Sequence, residues 1–130
     1  MIRTTLQILM GDDNEDLRNL FQAFFKGHEI TVVSNPTDLI ERASSQRFDV
    51  IVSDFDYGAE MNGLEALGEI RSTALNFDTL KIIWSESVME SDSEEELSNN
   101  QIHFVAKGRI KDLVSLVETT LYGNVYSYQS

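Results

Sequence analysis

At 130 residues and 42% apolar content the chain has the size of one domain with a real core, and its lack of cysteine excludes disulfides and thiolate metal sites. A formal charge of -12 argues against nucleic acid as a direct ligand and favours partners with basic surfaces. No run of about 18 apolar residues occurs, and the amino-terminal stretch is too short for a secretory core, so the expectation is a cytoplasmic protein without a membrane segment.

In chain order, residues 6–10 (LQILM) predict a first strand, followed by the acidic stretch GDDNED. Leu17, Leu20, Phe21 and Phe24 then recur at helical spacing, and Gly27 is placed to stop that helix. Residues 29–33 (EITVV) predict the second strand. Asn35 as cap and Pro36 at the first helical position announce the second helix. The third strand, residues 49–53, runs into Asp54 and Asp56, and Leu64, Leu67 and Ile70 mark a third helix. Residues 80–84 (LKIIW) precede Ser85, and residues 102–106 (IHFVA) precede Lys107. Between them, residues 88–100 offer only Val88, Met89 and Leu97 as apolar anchors, which predicts a short or mobile helix. Ile110, Leu113, Val114, Val117 and Leu121 draw the stripe of the last helix. Five βα repeats imply an α/β fold: a single doubly wound, five-stranded parallel sheet with helices on both faces. The domain is expected over residues 1–123, with a short tail at 124–130.

Ligands of open parallel sheets bind beyond the carboxyl ends of the strands. Asp12 and Asp13, Asp54 and Asp56, Ser85 and Lys107 follow the first, third, fourth and fifth strands. Three converging carboxylates repel one another unless a cation intervenes, and a divalent ion with Lys107 would balance Asp12, Asp13 and Asp54. Oxygen ligands favour a hard ion such as Mg²⁺, with Mn²⁺ as a substitute, and Mg²⁺ sites commonly include a phosphate. Asp54 would be ionised and nucleophilic at neutral pH. Each residue also has a plainer role open to it. Asp12 and Asp13 suit a helix cap, Asp54 and Asp56 a turn, and Lys107 a solvated surface. Phe104 suits half-buried packing and Trp84 the core, while His28 and His103 lack metal-like spacing.

Taken together and in this order, Asp12-Asp13, Asp54, Ser85 and Lys107 on five βα units resemble the receiver domain of bacterial response regulators, the CheY-like branch of the flavodoxin-like folds. The resemblance implies a phosphoacceptor at Asp54, a direct metal ligand at Asp13, and a mainly water-mediated one at Asp12. It also implies a backbone carbonyl ligand at Asp56, a hydroxyl switch at Ser85, a phosphoryl grip at Lys107 and a rotating aromatic at Phe104. The implied partners are a histidine kinase or phosphotransfer protein and a downstream protein that reads the face built from residues 88–121. As a phosphoacceptor, such a domain is no enzyme beyond self-phosphorylation and self-dephosphorylation. Three departures bear on the rate and lifetime of phosphorylation. The loop DFDYGAEMNG lacks the family's proline and reaches Gly63 one residue late, Gly108 replaces the proline after Lys107, and Glu86 follows Ser85 where a small residue is common. Two other readings remain at this point: a pseudo-receiver that binds without phosphorylation, and a haloacid-dehalogenase-type phosphatase suggested by the DFD triplet.

Overall fold

The computed structural model describes residues 5–86 and 102–122. Strands β1 (Gln7–Gly11), β2 (Glu29–Val33), β3 (Val50–Ser53), β4 (Leu80–Ser85) and β5 (Ile102–Ala106) form one parallel sheet in the order β2-β1-β3-β4-β5. The described helices are α1 (Glu15–Phe24), α2 (Pro36–Ser45), α3 (Gly63–Ile70) and α4 (Ile110–Glu118), the last running into a 3-10 turn at Thr119–Tyr122. The expected doubly wound architecture is therefore present. The predicted helix over 88–100 and the tail at 124–130 lie outside the described residues.

Alternation along each strand divides the core between the two faces of the sheet. Leu9, Ile51 and Ile83 point to one face, where Leu39 and Ala43 of α2 and Leu67 and Ile70 of α3 cover them. Ile8, Met10, Val50, Val52, Ile82 and Trp84 point to the other, beneath Phe21 of α1 and Leu113 and Val117 of α4. Because both faces are covered, the central strands read as unbroken apolar runs.

Three helices start on an asparagine. The side chains of Asn14, Asn35 and Asn62 accept from the N–H groups of Leu17, Asp38 and Glu65, at 3.2, 2.8 and 2.8 Å. Glu65 returns the favour to the Asn62 N–H at 3.1 Å, which completes a capping box. Each such cap is worth about 1 kcal/mol.

The first helix departs from the sequence expectation in two ways. Its buried residue is Phe21, with Phe25 just beyond its end, whereas Leu20 and Phe24 are 41% and 46% exposed. Spacing alone cannot separate these rows, because α1 carries more apolar residues than its buried face holds. It also ends at Phe24, and Gly27, at φ +103°, serves instead the turn into β2.

At the amino-terminal end of the sheet, a buried polar knot joins two loops. Asn76 donates to the carbonyls of Ala43 and Gln46 at 2.6 and 2.7 Å and accepts from the Phe48 N–H at 2.8 Å and the Thr79 hydroxyl at 2.9 Å. Beside it the Lys81 ammonium donates to the carbonyls of Asn76, Phe77 and Thr79. Burial pushes this amine down to about 8. These bonds fix the end of the sheet opposite the candidate site.

Candidate functional site

The winding of the chain reverses between β1 and β3, which are adjacent in the sheet, and the acidic residues follow these two strands. Parallel register sets Gly11 beside both Val33 and Ser53, so Asp12 and Asp54 leave neighbouring strands at the same level. The backbone N–H of Asp54 donates to the Gly11 carbonyl at 2.8 Å, and that of Asp12 to the Val33 carbonyl at 3.1 Å. One oxygen from each of Asp12, Asp13 and Asp54 falls within 4.8 Å of the others. Asp12 and Asp54 are buried, and Asp13 is exposed.

Lys107 joins the two buried carboxylates. Its Nζ lies 2.8 Å from Asp12 Oδ2 and donates to Asp54 Oδ1 at 3.2 Å. Burial disfavours the ammonium, but Asp12 and Asp54 outweigh it, and Lys107 is held above its ordinary range. Asp54 goes the other way. Burial, and then the charge of Asp12, push it up to about 6 against the pull of Lys107. One lysine does not neutralise three carboxylates, and the hard oxygen set with its uncompensated charge fits a divalent cation such as Mg²⁺.

Asp12, Asp13, Asp54, Asp56, Ser85, Glu86 and Lys107 line one cleft of about 220 Å³. All the predicted site residues except Phe104 meet there. Larger clefts of about 510 and 410 Å³ lie elsewhere, between the β2 end and α2 and beside Phe77 and Lys81, but neither gathers several carboxylates around a lysine. Phe104 is half-buried and packs against the core on the α2 and α3 face. Ser85 is buried at the end of β4, and its carbonyl accepts from the Lys107 N–H at 2.9 Å.

Asp12 and Asp13 do not cap α1, because Asn14 does. Asp12 Oδ1 instead accepts from the Asn14 N–H at 2.9 Å, and the Asp12 carbonyl accepts from the Arg18 guanidinium at 2.7 Å. The helix thus holds the loop that presents both carboxylates.

Sequence reasoning did not single out Tyr57, three residues after the candidate acceptor. Its ring is buried, and its hydroxyl shares a 2.7 Å hydrogen bond with Ser53, which donates to the Asp54 carbonyl at 2.8 Å. Gly58 follows at φ +69°, its N–H bonded to Asp56 Oδ1 at 2.9 Å. Gly63 then passes so close to the Asp54 carbonyl that a β-carbon there would overlap the backbone. The N–H of Gly63 returns to the Phe55 carbonyl at 2.7 Å.

Trp84 lies in the core, as the sequence predicts. It is fully buried on the α1 face, 5.9 Å from Phe21 between ring centroids, and its indole N–H has no hydrogen-bond partner among the described residues. An unpaired buried donor costs about 1–3 kcal/mol. The Lys107 ammonium stands 5.7 Å from the centroid of its ring.

No curated protein matches this chain in sequence. Solved structures do match in fold. A response regulator receiver domain protein from Methanospirillum hungatei superposes with a TM-score of 0.82 at 16% identity, covering 95% of this chain and 99% of that one. Chemotaxis protein CheY4 of Vibrio cholerae gives 0.80 at 19% identity, over 91% of this chain and all of the other. Response regulator TrrA of Thermotoga maritima, solved in complex with Mg²⁺ and BeF, gives 0.73 at 24% identity, over 88% and 98% of the two chains. The family model described as the response regulator receiver domain matches residues 8–118, and with that span the chain belongs to the response regulator receiver domain family.

Proposed function

We propose that this domain accepts a phosphoryl group on Asp54 from a histidine kinase or phosphotransfer protein, and that the change alters how it binds a downstream partner. The observation that carries this reading is Lys107, whose ammonium spans Asp12 and Asp54 at the mouth of an acidic cleft. Asp13 and Asp54, with Asp12 in support and the Asp56 carbonyl, would hold Mg²⁺ or Mn²⁺. That ion would supply positive charge to the oxygens of the transferring group.

Lys107 orients Asp54 through Oδ1, while Oδ2 carries no protein hydrogen bond among the described residues. A carboxylate oxygen attacks phosphorus, the bond from phosphorus to the donor histidine nitrogen breaks, and the electron pair stays on that nitrogen. Positioning and charge neutralisation supply most of the catalysis in such transfers. Lys107 then grips the new phosphoryl oxygens, and the Ser85 hydroxyl at the end of β4 turns toward them. Phe104, only half-buried, turns inward with it. A downstream protein reads the face built from residues 88–121, part of which is outside the described residues. Glu86, exposed at the cleft, sets a negative charge where an anionic donor enters and slows small phosphodonors.

The test is incubation with Mg²⁺ and acetyl phosphate followed by intact-mass measurement. One added phosphoryl group, absent in Asp54→Asn, is the expected result. A folded wild-type protein that takes no label from acetyl phosphate or from any phosphohistidine donor would instead be a binding module only.

A further inference from the structure

We propose that Trp84 is a positioning residue, holding the Lys107 ammonium between Asp12 and Asp54 through the face of its indole. This rests on the reading of Lys107 as the phosphoryl grip, and it assigns to Trp84 a part in that site.

The main chain fixes the backbone of Lys107 but not its long side chain. Its N–H bonds the Ser85 carbonyl, and the Arg109 N–H closes a turn on the Ala106 carbonyl at 2.9 Å, but Gly108 brings no side chain of its own, and no atom of the described residues outside its neighbours lies within 4 Å of a β-carbon built there. The four-carbon side chain of the lysine is therefore placed by its own contacts. That side chain is 9% exposed, and among the described residues its ammonium has three partners: Asp12 at 2.8 Å, Asp54 at 3.2 Å, and the Trp84 ring at 5.7 Å. The two carboxylates attract the ammonium but also pull it apart from any third anion. The ring is the only one of the three that bears no charge, so it keeps its grip whatever occupies the cleft.

Two features suit the indole to this part. It cannot move, being fully buried and packed on Phe21. And an indole is present although its N–H has no partner among the described residues, where phenylalanine or leucine would fill the core without that penalty. What the indole adds over either is the strongest face for a cation among the aromatic side chains, effective within about 6 Å and greatest where water is excluded.

Trp84 is the only tryptophan in the chain, so biosynthetic incorporation of mono-, di- and tetrafluorotryptophan changes this ring alone. Fluorination drains the face of negative potential with little change of shape. Calorimetric affinity for beryllofluoride with Mg²⁺ should fall stepwise, by roughly three- to tenfold at tetrafluorotryptophan. In a second arm, urea midpoints of the ligand-free protein should fall with fluorination in wild type and stay level in Lys107→Met, or in Lys107→Gln if the first variant does not fold. Equal slopes in the two backgrounds, or affinity unchanged by fluorination, would overturn the proposal. Should the unfluorinated protein not bind beryllofluoride at all, the phosphoryl-site reading fails, and the urea arm still decides whether Trp84 holds Lys107.

Discussion

Gly11 and Tyr57 occupy one space at the end of β1: a β-carbon on Gly11 would overlap the Tyr57 hydroxyl oxygen. Tyr57 reaches this seat only because β1 offers no side chain there, and from it the ring supports Ser53 and the Asp54 carbonyl. Gly11→Ala should therefore cost about 1–3 kcal/mol in urea unfolding. Tyr57→Phe, which removes the oxygen in the way, should cost about 1 kcal/mol alone and recover part of the Gly11→Ala loss when the two are combined. Strict additivity in that double-variant cycle would contradict the shared space.

The proton affinity of Asp54 gives a pH signature. Its carboxyl titrates at about 6 in the folded protein against an ordinary value of 3.8. Between those values the folded form keeps a proton that the unfolded chain has released. The stability it contributes is thus present below about pH 4 and lost as pH rises through about 6. Asp54→Asn does not titrate, so its stability relative to wild type should climb by on the order of 2 kcal/mol between pH 4 and pH 7. Adding Mg²⁺ at pH 7 should narrow the difference by stabilising wild type selectively. A flat difference across that range, measured by urea unfolding, would show that Asp54 is not perturbed.

Gly63→Ala probes the loop from its far end. The obstacle to a new methyl group is the Asp54 backbone itself, which cannot rotate aside as a side chain can. A loss of about 2–3 kcal/mol is expected, with a displaced Asp54 and weakened beryllofluoride binding in whatever folded fraction remains. Wild-type affinity in a folded Gly63→Ala protein would show that the loop yields freely.

Asn76→Ala should separate stability from function. The substitution strands the buried Phe48 N–H and removes the donor to two carbonyls, a loss of about 3 kcal/mol by analogy with other unsatisfied buried groups. Because Asn76 lies at the opposite end of the sheet, beryllofluoride affinity at a temperature where the variant stays folded should match wild type.

The strands were legible because a sheet covered on both faces needs unbroken apolar segments such as residues 50–53. The site was legible because strand ends in a parallel sheet converge, which turns Asp12, Asp54, Ser85 and Lys107 from scattered residues into neighbours. What escaped were properties of three-dimensional packing. Phe24 and Phe25 are alike in sequence, yet only Phe25 is buried. Tyr57 acquires its place from Gly11, forty-six residues earlier, and a bare glycine at a strand end announces nothing. Asn14, rather than the two aspartates before it, caps α1, and the Asp12 carboxylate divides instead between the Asn14 N–H and Lys107.

The Gly58 turn bears on how the domain comes to be folded. A proline in this loop would restrict the chain before folding begins. A glycine at φ +69° does the opposite, leaving the unfolded segment free to take many shapes and preferring none. The loop must then wait for a template. Tyr57 has no seat until β1 and β3 have paired and Gly11 has come beside Ser53. The nucleus of the domain should accordingly form from its central strands, and the segment that follows Asp54 should settle late, with substitutions in residues 56–61 speeding unfolding while leaving the folding rate almost untouched.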